Sequence, residues 1–281
     1  MKTTNFRIAR YIGRFSSYVV LIVVFFISIL PIFWIFSSGF APRGDLMMDP
    51  FAIPRRLTLE NLIAAWTTGR MSVYMTNSIL VAIPRVLGVL TLSSLAGYAF
   101  GKLQFKGREI IFKFMLFGLM VPIQAMIIPI FFNLSRMGLI DSREGIIIPY
   151  FGLSMPFAIF MMRAFFKDLP DDLMGSAKID GCNEFTTFLY IMLPLIKPAV
   201  TALLVFEFMW SWNDLFLPLM VTFGDRHRTL PLGLMFFTTE FTRDNTLIAA
   251  ATVITIMPII TLYIIFQRKF IEGITSGAVK G

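Results

Sequence analysis

Of 281 residues, one is cysteine and one is histidine. A lone thiol, Cys182, excludes an internal disulfide and a zinc cluster. A lone imidazole, His227, leaves no histidine pair for a metal and no triad for nucleophilic catalysis. Charge is also scarce: Asp, Glu, Lys and Arg make up 15% of the chain, against about 25% in a soluble domain. That shortage excludes an ordinary soluble enzyme and a disordered tail. What fills the space is apolar. Hydrophobic residues reach 57%, with 31 Phe and 18 Met spread over the whole length, the composition of a polytopic membrane protein. The net charge of +8 does not point to nucleic acid, because basic residues on such a chain mark its cytoplasmic side.

Crossing a hydrocarbon core of about 30 Å takes around 20 apolar residues in a helix. Six stretches qualify: Ser17–Ser38, Tyr74–Tyr98, Ile110–Phe132, Ile146–Phe166, Ala199–Thr222 and Thr246–Phe266. Backbone groups in lipid must be satisfied internally, so each is expected to be helical. Pro31, Pro84, Pro156 and Pro258 lie well inside them and predict kinks. The first stretch follows a basic arm but is too long for the apolar part of a cleaved signal, so it reads as a retained span.

Lys and Arg crowd the arm before the first span, the link at 99–109 and the segment after the last span. Links on the other side balance their charges: four basic and three acidic in 39–73, two and two in 133–145, three and three in 223–245. This places both termini in the cytoplasm. The chain divides into an arm (1–16), a membrane domain (17–266) and a tail (267–281).

The link between spans four and five, 167–198, is far longer than the 2–8 residues usual in bundles. Pro170 followed by Asp171 and Asp172 starts a helix, with Leu173, Ala177 and Ile179 as its expected apolar face. Gly181 ends it by supplying a left-handed residue. Asn183 caps a second helix whose Phe185, Phe188, Leu189 and Met192 repeat at helical spacing. Pro194 and Pro198 end that one. A helix–glycine–helix elbow below the membrane is the result. Gly175, Ser176 and Ala177 are the small residues of a close-approach surface, although a solvated connector with no partner would use the same residues.

The elbow resembles the EAA loop of ABC-importer permeases at Leu173, Ala177, Asp180, Gly181, Phe188, Leu193, Pro194, Leu195 and Pro198. It departs at Gly175, where that family usually has Glu, and at Ser176, usually Ala. The stretches NSILVA (77–82), LAGYAFGKLQFKGR (95–108), VPIQAMIIPIFFNLSRMGLIDS (121–142) and FIEGITSGAVKG (270–281) are similar to those of carbohydrate-uptake permeases, more narrowly the maltose-type second subunit. The likeness covers 70–281. It implies an all-α, six-helix type I importer permease, with Leu173, Gly175, Ser176, Ala177, Ile179, Asp180 and Gly181 coupling to an ATPase. It further implies a second homologous permease, two ATPase subunits carrying ATP and Mg, a solute-binding protein facing the 223–245 link, and a sugar substrate. The tail would reach toward the ATPases, and Gly273, Gly277 and Gly281 suit a flexible strand better than a helix.

Span five carries Glu207, Ser211 and Asp214 on one face, beside Asn213. A charged group at membrane depth costs about 2.5–3.5 kcal/mol even on lenient scales, so this face looks into the bundle, an interface or water. It either lines a path for sugar hydroxyls or fixes helix packing by hydrogen bonds. Arg85 in span two is a possible partner for either carboxylate. His227, between Arg226 and Arg228, is expected to be solvated.

A phosphate-binding loop of the form G-x-x-x-x-G-K-[ST] is missing; the nearest approach, Gly97 to Leu103, has three intervening residues and no hydroxyl. This chain therefore cannot hydrolyse ATP by that route and needs no cofactor of its own. Energy comes from a partner ATPase, the leading reading, or from an ion gradient in a channel or secondary transporter acting alone.

Overall fold

The computed structural model describes residues 2–42, 54, 56–241 and 244–278, with side chains for 14–42, 54, 56–241 and 244–268. Among the described residues there are helices and no strands. The chain separates into two compact units.

The smaller unit comprises residues 1–70 and 236–254. Helix α1 (Lys2–Gly39) runs unbroken through Pro31, and residues 14–33 are exposed along its length. Only its end packs. A Cβ on Gly39 would come within 3.2 Å of Ala250, so a small residue lets the two helices approach. The short α2 (Glu60–Trp66) is tied back by Asn61, fully buried, whose amide donates to the Ala41 carbonyl at 2.6 Å.

The larger unit, 71–235 with 255–281, is built around α3 (Met71–Lys102) and α6 (Arg143–Asp168). Gly97 makes their approach possible: a Cβ there would sit 2.4 Å from that of Met162. Val89, Leu90, Ala158, Met162, Phe166, Ala199 and Leu203 form the dry centre. Burying the Val, Leu, Met and Phe side chains among them is worth about 1.5–3 kcal/mol each relative to water; in lipid, close packing takes over as the cohesive term.

Between α3 and α6 lie α4 (Arg108–Leu116), a 3₁₀ turn (Phe117–Met120) and α5 (Ile123–Arg136). The third expected span is therefore broken, and its halves meet at 98°. The cause is local. Val121 precedes Pro122, which forces it out of the helical region to φ −91°, ψ 113°. Among the described residues, four helices are continuous and apolar enough to cross a bilayer, or up to six if each bent pair counts as one span.

After α6 come α7 (Asp172–Ile179) and α8 (Glu184–Leu195), which meets α9 (Lys197–Asn213) at 79°. The expected fifth span is also divided. Asp214 is extended, at φ −69°, ψ 120°, and its carboxylate accepts from the Phe216 amide at 3.2 Å, starting α10 (Phe216–Val221). Next come a 3₁₀ turn (Asp225–His227), α11 (Leu230–Glu240) and α12 (Asn245–Ala278). Pro84, Pro156 and Pro258 interrupt none of their helices; a proline removes one hydrogen bond, which neighbours tolerate. The tail corrects an expectation. Residues 267–278, Gly273 and Gly277 included, continue α12 as helix, because two isolated glycines four apart lower helix propensity by only about 1 kcal/mol each. Gly281 lies outside the described residues.

Candidate functional site

Two regions gather the residues singled out by sequence, and α3 touches both. The first is the elbow. Gly181 takes φ +79°, and a Cβ placed on it would meet nothing within 4 Å, so the left-handed backbone alone calls for glycine there. The Cys182 amide reaches back to the Ala177 carbonyl at 2.9 Å and that of Gly181 to Lys178 at 3.1 Å, closing α7. The Asn183 side chain accepts from the Thr186 amide at 2.8 Å and opens α8.

Ala177 is buried while Leu173 and Met174 are half-buried; Gly175, Ser176, Ile179, Asp180 and Gly181 are exposed. Ile179 thus corrects the expected apolar face, with 88% of its surface open. At about 100° per residue it sits some 240° around the helix from Leu173, and Met174, three before Ala177, takes its place inside. In α8, Phe188 and Met192 are buried as expected, but Phe185 is 63% exposed and Leu189 38%. Residues Thr187–Met192 form a π turn, in which the Leu193 amide bonds to the Phe188 carbonyl. Widening the turn aligns 187 and 188 with 192 and swings 185 and 189 outward.

Two residues of α3 hold this elbow. Lys102, 2% exposed at its side chain, donates to the Leu169 carbonyl and to the Asp171 carboxylate, both at 2.5 Å. That hydrogen bond, with the attraction of the ammonium, keeps Asp171 below the usual carboxylate range. The Tyr98 hydroxyl donates to Glu184 at 3.0 Å and lies 3.4 Å from the Met174 sulfur. Its ring packs on Phe166 and Phe188, with centroids 5.6 and 5.3 Å away. By sequence, Lys102 counts only as a charge near the membrane. The one signal for its role is its place one helical turn beyond Tyr98, beside the glycines that bring α3 against α6.

The second region lies at mid-length. Glu207 of α9 is fully buried and Arg85 of α3 is 2% exposed, with 3.6 Å between their charged atoms. Ser154 of α6 donates to Glu207 at 3.0 Å and stands 3.4 Å from Arg85. The guanidinium lies 3.5 Å from the centre of the Tyr150 ring, a cation–π contact, and the Tyr150 hydroxyl donates to Asp214. Arg85 therefore serves both carboxylates, Glu207 directly and Asp214 through an aromatic ring. Sequence reasoning misses Tyr150 and Ser154: four apart on α6, they read as ordinary span residues.

Of the four path candidates, Asn213 and Asp214 line an open cavity of about 470 Å³ with Phe206, Met209, Trp210 and Tyr263. Glu207 and Ser211 do not; both are buried. Ser211 Oγ and one oxygen of Glu207 are buried without a protein hydrogen-bond partner. Trp212 is 2% exposed and donates to the Thr255 carbonyl at 3.0 Å.

At the far end of α3, Tyr74 donates to Asp225 at 2.5 Å, and the Asn77 amide donates to the carbonyls of Arg226 and Arg228 at 2.9 Å. These bonds pin the 223–229 stretch. His227 is not free in solvent as expected: its side chain is 19% exposed and 3.7 Å from Asp141.

Residues 90–275 match the family described as "Binding-protein-dependent transport system inner membrane component". The chain belongs to that family. As one of these inner-membrane components it is a multi-pass permease rather than an enzyme, with ATP hydrolysis on a separate subunit. Membership also decides against an ion-coupled transporter acting alone. Among related permeases of the family, it is 35% identical over 260 residues to the arabinooligosaccharides transport system permease AraQ of Halalkalibacterium halodurans, covering 91% of this chain and 92% of that one. It is 31% identical to the diacetylchitobiose uptake system permease NgcG of Streptomyces coelicolor, with 94% and 88% covered. To the trehalose transport system permease SugB of Mycobacterium tuberculosis it is 33% identical, with 90% and 93% covered. A crystal structure of a bacterial ABC transporter involved in the import of the acidic polysaccharide alginate shares the fold, with a TM-score of 0.81, 23% identity, and 92% and 96% of the two chains covered.

Proposed function

We propose that this permease is one half of the pore of a sugar importer, carrying a di- or oligosaccharide or a related polyol derivative across the cytoplasmic membrane by alternating access. The names of the related permeases support a carbohydrate cargo. One observation carries the mechanism: the elbow is bound to the bundle on one side, by Lys102 and Tyr98, and bare on the other, at Gly175, Ser176, Ile179, Asp180 and Gly181. A surface held from behind and open in front is built to receive a partner. The partner is the ATPase. Leu173 and Ala177 support that face from within. Both termini lie in the cytoplasm with the elbow, the arm being 1–16, the membrane domain 17–266 and the tail 267–281. A second permease completes the pore, and a solute-binding protein delivers sugar at the end pinned by Tyr74 and Asn77.

Closure of two ATPases draws paired elbows together and tilts the bundles, opening the path to the outside. Asn213 and Asp214, on the open cavity with Trp210, offer acceptors to sugar hydroxyls. Glu207 and Ser211 instead fix packing behind that wall. Cys182, half-buried beside Gly181, reports on the docking. A thiol reagent that cannot cross the membrane should label it in inside-out vesicles only, and several-fold more slowly when the ATPase is bound. Equal labelling with and without ATPase would refute docking at the elbow.

A further inference from the structure

The bare face of the elbow explains how a partner is received but not how its motion leaves the elbow. Among the described residues, the polar contacts that join the elbow to the bundle converge on the last two turns of α3. Lys102 binds the end of α6 through the Leu169 carbonyl and the start of α7 through Asp171. Tyr98 binds the middle of α7 at Met174, the start of α8 at Glu184, and the body of α8 through the Phe188 ring. Both residues are almost wholly buried, at 4% exposed for Tyr98 and 9% for Lys102 as whole residues, on a helix already locked against α6 by Gly97 and Gly101. Seventeen residues up the same helix, about 25 Å away, Arg85 meets Glu207 and the Tyr150 ring, and Tyr150 holds Asp214 at the cavity.

We infer that Tyr98 and Lys102 are the positioning residues through which the elbow drives α3, and that α3 is the rod carrying the stroke to the Arg85 cluster and the cavity wall. Neither direct chain connection is a continuous helix: α6 into α7 passes through the extended Leu169, and α8 into α9 turns through 79° at Ile196, so the side-chain contacts on α3 are a separate link between elbow and bundle. The buried lysine has no other visible task. A charge of that kind placed merely for orientation would sit in water, whereas this one is sequestered and satisfied by two elements of the elbow at once.

The inference rests on the elbow being the ATPase contact, and the test separates the two. The full importer, reconstituted in proteoliposomes with its ATPases and binding protein, is compared with versions carrying Tyr98→Phe, Lys102→Met and Lys102→Arg. Co-purification of the ATPase and shielding of Cys182 read docking; sugar moved per ATP hydrolysed reads transmission. Tyr98→Phe keeps the ring and removes only the hydroxyl, so it folds; it should dock normally and move about threefold less sugar per ATP. Lys102→Met should dock normally and lose at least tenfold, with Lys102→Arg recovering most of that loss. Unchanged sugar per ATP in both Tyr98→Phe and Lys102→Met overturns the inference. So does a loss of docking in proportion to the loss of transport, which makes the two residues a scaffold for the elbow. Failure of the unaltered chain to bind any ATPase would instead remove the reading on which the inference rests.

Discussion

The elbow and the Arg85 cluster hang on one helix yet are made in opposite ways. The elbow is local: a proline and two acids start it, Gly181 turns it, Asn183 restarts it, all within 28 residues from Pro170 to Lys197. The cluster is non-local, joining single residues of α3, α6 and α9 that mean little apart. The elbow shows one face to whatever binds it; the Arg85–Glu207 pair at the heart of the cluster is enclosed. The lesson is one of tolerance. A local motif survives the loss of one contact because the turn persists, whereas a buried charge that loses its counterpart has nowhere to go.

The sharpest way to break that contrast is Glu207→Leu. Removing one partner of a buried pair costs about 3–5 kcal/mol, because Arg85 would remain charged and enclosed. The expected outcome is a chain that fails to accumulate in membranes, or melts well below the parent in detergent. Adding Arg85→Met should recover most of the loss, since replacing both members by apolar groups is often neutral. If the single and double variants are equally damaged, the pair is not the source of the cost.

Gly181→Leu probes the other side. A side chain at φ +79° costs about 1–2 kcal/mol, spread over a turn that can shift. Assembly should therefore survive while sugar uptake into vesicles drops to background. Normal uptake would mean that the turn angle does not matter to coupling.

The sequence and the structure part company along the same line. The elbow's opening proline, its turn and its Asn183 cap are legible because each depends on neighbours in the chain; the closing prolines are not, since Pro194 lies inside α8, which gives way only at Ile196, and Pro198 sits in the first turn of α9. Ile179 is not, because a rotation of about 240° is decided by which side of α7 the bundle covers. Phe185 and Leu189 are misplaced for a subtler reason: ordinary helical spacing cannot anticipate the π turn at Thr187–Met192. The carboxylates of α9 announce themselves by their cost in lipid, and Arg85 is identifiable as a partner. Tyr150 and Ser154, which complete the cluster, carry no charge and so give no sign. The family is legible throughout, since motif and match agree over 90–275.

The smallest effect concerns Asp171→Asn. The Lys102 ammonium depresses the pKa of Asp171, so the ionised carboxylate favours the folded state once pH exceeds the ordinary aspartate value of about 4. This contribution is complete at neutral pH and is lost as acidity rises through the depressed value. The variant should consequently melt slightly below the parent by a constant margin from pH 6 to 8. That margin should close only in strong acid, and melting curves across the range would detect it. A margin that changed between pH 6 and 8 would assign the difference to another group.

Helix α1 has a consequence of a different kind. Its residues 14–33 offer apolar side chains in every direction, so among the described residues only the far end of the helix is held by a core. Depth and tilt are then matters of matching a greasy cylinder to the thickness of the surrounding oil. Detergents or lipids of different tail length should alter this part of the molecule while leaving α3 and α6 undisturbed.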